Sequence, residues 1–154
     1  MDSLPMKDIS NKQDLIMGEV QIEALPERRI LIAEDDLSLQ PLWERAIASK
    51  GGPVIVDWAT SMADAERLIR YRFKRGTPYD LVVSDIFLEG MGSGIDLWNH
   101  YGEEAKNFVL VTAVPITEEK LMKRIDFGHP ECLRKPLNFQ KCSRIADIAF
   151  GLKY

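Results

Sequence analysis

From Arg29 onward, short apolar runs alternate with longer stretches in which apolar residues recur three or four positions apart. The short runs, Ile30–Ala33, Val54–Trp58, Leu81–Ser84, Phe108–Val111 and Glu131–Arg134, predict five strands. Three of them are rich in Val and Ile without polar alternation, as expected of strands covered on both faces. Between them, Leu39, Leu42, Trp43, Ala46 and Ile47 mark a first helix ended by Gly51-Gly52. Met62, Ala65, Leu68, Ile69 and Phe73 mark a second, capped by Thr60 or Ser61 and closed by Gly76. Ile95, Leu97, Trp98 and Tyr101 predict a short third helix after a glycine-rich loop. A fourth begins at Thr117-Glu118-Glu119-Lys120 and stops at Gly128, and a fifth carries Phe139, Cys142, Ile145, Ala146 and Ala149. Five β-α units of this kind predict an α/β fold with a doubly wound five-stranded parallel sheet and helices on both faces.

Residues 1–28 stand outside the repeat. They mix Pro5, Gly18 and Pro26 with apolar Leu15, Ile16, Val20, Ile22 and Leu25. They read as a loose tail or as an ordered N-terminal arm that packs on the domain at 29–154 or on a second copy.

The length of 154 residues suits one domain with a proper core. A net charge of -4 gives no electrostatic reason to expect direct binding to nucleic acid or an anionic membrane. No apolar stretch approaches the ~20 residues of a membrane span, and the first residues lack the pattern of a secretory signal. Cys132 and Cys142 form neither a metal nor a redox spacing, so a reducing cytoplasm is the expected location.

Reactive groups follow the strands. The first run stops at Glu34-Asp35-Asp36, the third at Asp85, the fourth at Thr112 and the fifth at Lys135-Pro136. A parallel sheet delivers all of these to one edge. Adjacent carboxylates repel unless a cation compensates them, and hard oxygen donors suit Mg²⁺. An Asp carboxylate can accept a phosphoryl group, and a lysine beside it can pair with the phosphoryl anion. Each group also has a plain structural reading. Asp36 can cap the helix that follows it, Asp85 can bond its glycine-rich turn, and Thr112 and Lys135 can be ordinary strand-end residues. It is their conjunction, in order, that points to chemistry.

The segments Arg29–Asp36, Asp80–Ile86, Leu110–Ala113 and Gly128–Pro136 together resemble a response-regulator receiver domain of two-component signalling, over residues 29–152. The resemblance implies the flavodoxin-like strand order 2-1-3-4-5. It implies that Asp85 is the phosphoacceptor and that Mg²⁺ is held by Asp35, Asp85, the backbone carbonyl of Phe87 and, through water, Glu34. It further implies that Thr112 and Lys135 bond phosphoryl oxygens and that the Lys135-Pro136 bond is cis. A histidine kinase or histidine phosphotransfer protein would load Asp85, and the domain would signal as a phosphoacceptor rather than as an enzyme. With no output domain after the last helix, it would act by binding a downstream protein or by onward phosphotransfer. A homodimer through the fourth and fifth helices, or through the N-terminal arm, is a further expectation.

The chain departs from that family at Glu89, where proline is usual, at the longer loop Gly92-Ser93-Gly94, and at Cys132, where an aromatic usually switches. Phe87 and Val114 are expected to flank the phosphoryl site and slow its hydrolysis. Three rival readings are an Asp-nucleophile phosphatase, a flavin binder and a receiver-like interaction module that is never phosphorylated. The phosphatase would want a second Asp where Phe87 stands, and the flavin binder would need a phosphate loop where Glu34-Asp35-Asp36 repel phosphate.

Overall fold

The computed structural model describes residues 26–87, 93–113 and 117–152, with the side chain of Glu118 set aside. Most of the N-terminal arm, Glu89 and Val114 lie outside the described residues. The strands are β1 (Arg28–Ala33), β2 (Val54–Ala59), β3 (Leu81–Asp85), β4 (Phe108–Thr112) and β5 (Glu131–Arg134), all parallel, in the order β2-β1-β3-β4-β5. The helices are α1 (Gln40–Ala48), α2 (Met62–Lys74), α3 (Gly94–Tyr101), α4 (Glu118–Arg124) and α5 (Phe139–Ala149).

The unbroken apolar character of the central strands has a direct cause: both faces of the sheet are core. Leu31, Ala33, Val82, Phe108 and Leu110 pack on one face with Ala65 and Ile69 of α2, Ile95 and Leu97 of α3, and Leu121 of α4. Ile30, Ile32, Leu81, Val83, Val109 and Val111 pack on the other with Trp43, Ala46 and Ile47 of α1 and Cys142, Ile145 and Ala146 of α5. Each fully buried Ile or Leu contributes about 1.5–3 kcal/mol, so this two-sided burial dominates the stability of the sheet.

Helix starts follow side-chain chemistry. Ser61, Ser93, Thr117 and Asn138 accept a hydrogen bond from the backbone N–H three residues on, which satisfies a donor that the helix leaves open. Asp36 plays the same part for a 3-10 turn at Leu37–Leu39 that leads into α1, accepting from the Ser38 N–H. Ser61, not Thr60, is therefore the cap of α2.

The fourth helix ends earlier than the glycine at 128 suggests. Its last residue is Arg124, and Ile125 is extended. Asn99 of α3 accounts for this: its Nδ2 donates to the Arg124 carbonyl and its Oδ1 accepts from the Asp126 N–H, both at 2.9 Å. Gly128 instead takes a φ of +68° against the Trp98 ring, which also stacks on Phe127.

Candidate phosphoryl and metal site

The neighbours β1 and β3 lie where the strand order reverses, so their carboxyl ends open one crevice. Asp85 ends β3 and is buried, and Glu34, one residue beyond β1, is buried too, while Asp35 is exposed. Carboxylate oxygens from Glu34, Asp35 and Asp85 all lie within 4.8 Å of one another. Asp36 is not part of this group. It turns away, its Oδ1 accepting from the Ser38 amide at 3.1 Å and hydroxyl at 2.6 Å, which holds its carboxyl below the usual carboxylate range.

Lys135 enters from the end of β5. Its Nζ lies 2.9 Å from Glu34 Oε1 and 2.9 Å from Asp85 Oδ2. Its backbone N–H donates to the Thr112 carbonyl at 2.8 Å, which ties the ends of β4 and β5 together. The Lys135-Pro136 peptide bond is cis. Thr112 is buried at the same edge. Two backbone donors orient the acids: Asp85 Oδ1 accepts from the Phe87 N–H at 3.0 Å, and Glu34 Oε2 accepts from the Asp36 N–H at 3.1 Å.

The electrostatics follow from two buried acids on one ammonium, with a third carboxylate nearby. Burial pushes the Glu34 carboxyl above its ordinary value, and the Asp85 charge adds to this. The Lys135 ammonium and the Asp36 N–H oppose the rise without cancelling it. Burial works against the Lys135 charge, but its bonds to Glu34 and Asp85 and their charges outweigh burial, so its pKa lies above the lysine norm. One cation thus serves two buried carboxylates, with the Asp35 carboxylate beside them. Each carboxylate can accept about four hydrogen bonds or metal contacts, and the bonds described above leave capacity on Asp85 and Glu34. The donor set therefore fits a hard divalent cation such as Mg²⁺.

Two further supports lie outside the set of residues that the sequence marks as reactive. Gly94 begins α3 with its N–H donating to the Ile86 carbonyl at 2.8 Å. A Cβ at Gly94 would lie 2.3 Å from the Asp85 carbonyl oxygen and 2.9 Å from Ser84 Oγ. Only glycine lets the helix approach the strand end this closely, and the Gly92-Ser93-Gly94 run is the available signal. The second support is Ser84, fully buried, whose hydroxyl donates to the Asp85 carbonyl at 3.0 Å.

Phe87 is 54% exposed, so its ring covers little of the core and stands in solvent two residues past Asp85. Cys132 is half-buried and packs against the core face shared with Leu110 and Leu121. Beside it a cleft of about 300 Å³ is lined by Thr112, Leu121, Met122, Cys132 and Arg134. Both cysteines are free thiols. No helix among the described residues is long and apolar enough to cross a membrane.

No protein-family model and no curated protein matches the chain. Solved structures do. A Francisella response-regulator receiver domain is similar with a TM-score of 0.59 at 21% identity, over 80% of this chain and 97% of that one. The structure of a CheX-CheY-BeF3-Mg complex from Borrelia burgdorferi gives 0.61 at 16% identity, over 82% and 90%. A Burkholderia pseudomallei response regulator with a phosphorylated aspartic acid and a calcium ion gives 0.59 at 17% identity, over 77% and 66%. The sheet order and these likenesses agree: the chain has the CheY-like fold of response-regulator receiver domains.

Proposed function

We propose that this protein is a phosphoacceptor of two-component signalling, loaded on Asp85 by a histidine kinase or histidine phosphotransfer protein. The observation that carries the reading is Lys135 Nζ at 2.9 Å from both Asp85 and Glu34, within a carboxylate group that also includes Asp35. A purely structural turn at Asp85 has no use for that arrangement.

An Asp85 carboxylate oxygen attacks the donor phosphorus as the phosphorus–nitrogen bond to the donor histidine breaks; with the other nitrogen of that ring protonated, the products are an acyl phosphate on Asp85 and a neutral imidazole. Asp35, Asp85, the Phe87 carbonyl and, through water, Glu34 would hold Mg²⁺, which neutralises phosphoryl oxygens when bound. Lys135 exchanges its contact with the Asp85 carboxylate for a phosphoryl oxygen. The Thr112 hydroxyl, at the same edge, donates to another. The role is that of a signalling phosphoprotein of the cytoplasm rather than an enzyme, with a downstream protein reading the altered edge. The phosphorylated aspartate of the Burkholderia neighbour supports the same chemistry on this fold.

Incubation with acetyl phosphate or a histidine kinase, followed by intact mass measurement, tests the reading. The chain gains one phosphoryl group only when Mg²⁺ is present, and Asp85→Asn gains none. An unchanged mass under all conditions would instead make it a receiver-like interaction module that does not take phosphate.

A further inference from the structure

Lys141 sits where a cation is unfavourable. It is the third residue of α5, whose N-cap is Asn138, and the first turn of that helix holds no acid. Open N–H groups and aligned peptide dipoles make this end of a helix positive, so an acid stabilises it and a lysine does not. The side chain turns back out of the helix instead. Its Nζ donates to the Arg134 carbonyl at 3.2 Å and to the Pro136 carbonyl at 3.1 Å. Those two carbonyls flank Lys135, whose ammonium reaches Asp85 and Glu34.

The strand end has a use for this donor. β5 is an edge strand, paired only with β4. The Lys135 N–H points inward, to the Thr112 carbonyl at 2.8 Å. In a trans peptide the C=O of the same unit points the opposite way, so the Arg134 carbonyl faces the open side of the sheet, where the ladder offers no partner. Lys141 supplies one. The backbone that carries the Lys135 side chain is thus held twice, from β4 through its N–H and from α5 through the carbonyls before and after it.

α5 is a firm base for such a hold. Cys142, Ile145, Ala146 and Ala149 are buried against the sheet, and Lys50 Nζ lies 2.6 Å from Asp147 Oδ1 at the other end of the helix. The Lys141 N–H itself donates to Asn138 Oδ1 at 2.8 Å. An ammonium at the tip of a flexible four-carbon stem is placed only as well as the backbone it starts from.

With the reading of Asp85 as the phosphoacceptor as its basis, we propose that Lys141 is a positioning residue for phosphoryl transfer. It fixes the backbone on either side of Lys135 and so sets where the Lys135 Nζ stands against Asp85. It acts through Lys135 and not on the phosphoryl group.

Lys141→Met tests this. It keeps an apolar stem and removes the ammonium, and taking a cation out of the first turn does not weaken α5 through its dipole, so the melting temperature reports an intact fold. Trace acylation with acetic anhydride, located by mass spectrometry, reads the Lys135 amine without any phosphorylation, because an ammonium held between two carboxylates reacts slowly. The expected result is several-fold faster acylation of Lys135 in Lys141→Met, with exposed Lys74 unchanged as an internal reference. The rate constant for phosphorylation by acetyl phosphate with Mg²⁺ falls about tenfold, as expected of a misplaced catalytic group. Lys141→Arg, whose guanidinium can donate to both carbonyls, brings both readouts back towards native. The deficit of Lys141→Met persists in about 0.5 M NaCl, where the field of a single surface charge is screened. Unchanged acylation of Lys135 or an unchanged phosphorylation rate would overturn the proposal. So would a deficit that vanishes in salt, which would make Lys141 an attractor of the anionic donor. If the native chain takes up no phosphoryl group, the phosphoacceptor reading fails, and the acylation of Lys135 still decides whether Lys141 holds it in place.

Discussion

Lys135 stands 2.9 Å from the carboxylates of both Glu34 and Asp85, so the end of β5 supplies the ammonium that lets the ends of β1 and β3 carry buried acids side by side. Removing it leaves like charges uncompensated. Lys135→Ala is expected to lower the unfolding free energy by about 1–3 kcal/mol in metal-free buffer, the cost of stranding partly buried charge. Because a divalent cation can replace that compensation, Mg²⁺ should raise the urea midpoint more in Lys135→Ala than in the native protein. Equal midpoints for the two proteins in metal-free buffer would show that the ammonium is not needed to hold the acids.

Gly94 and the Asp85 carbonyl are in contact so close that a methyl group cannot enter between them. Gly94→Ala should therefore cost about 1–3 kcal/mol, as overpacked sites do. It should also displace α3 from the end of β3, and with it the Asp85 carboxylate. Denaturant unfolding and the rate of phosphorylation by acetyl phosphate check the two effects. A variant as stable and as reactive as the native chain would contradict the close approach.

Cys142 is fully buried between α5 and the sheet, and burial pushes its thiol up to about 12 from an ordinary value of 9.0. The sign of the effect on stability follows from proton linkage. Below about pH 9 both states keep the proton and the stabilisation is complete. Between about 9 and 12 the unfolded chain loses the proton first, so stability falls by about 1.4 kcal/mol per pH unit from this group. Cys142→Ala should be less stable at neutral pH but lose less stability on going from pH ~8.5 to pH ~10. Parallel stability–pH curves for the two proteins would rule this out.

Phe87 places an exposed ring two residues beyond the phosphoacceptor. An apolar group there hinders the approach of water and offers it no hydrogen bond, so the acyl phosphate should persist several-fold longer in the native chain than in Phe87→Asn. Decay of the phosphorylated mass after removal of the donor measures both lifetimes, and equal lifetimes would remove Phe87 from the account.

Much of this was legible in the sequence because burial on two faces imposes a simple pattern. The runs at Ile30, Leu81 and Phe108 are apolar throughout, and each stops at a polar group at the carboxyl edge of the sheet. Glu34, Asp85, Thr112 and Lys135 could be found by counting from those stops. What could not be read depends on partners distant in the chain. Asn99, on α3, decides where α4 ends, and no local signal near Arg124 announces it. Gly94 was visible as a glycine, but its contact with Asp85 appears only once α3 is packed on β3.

The most direct test of the central claim locates the phosphoryl group itself. Borohydride reduces an aspartyl phosphate to homoserine, so the chain is loaded with acetyl phosphate and Mg²⁺, reduced, digested and sequenced by mass spectrometry. The account predicts homoserine at position 85 and nowhere else, and none when Mg²⁺ is withheld. Homoserine at Asp35, Asp36 or another acid, or none at any position in a chain that has gained phosphate, would contradict it.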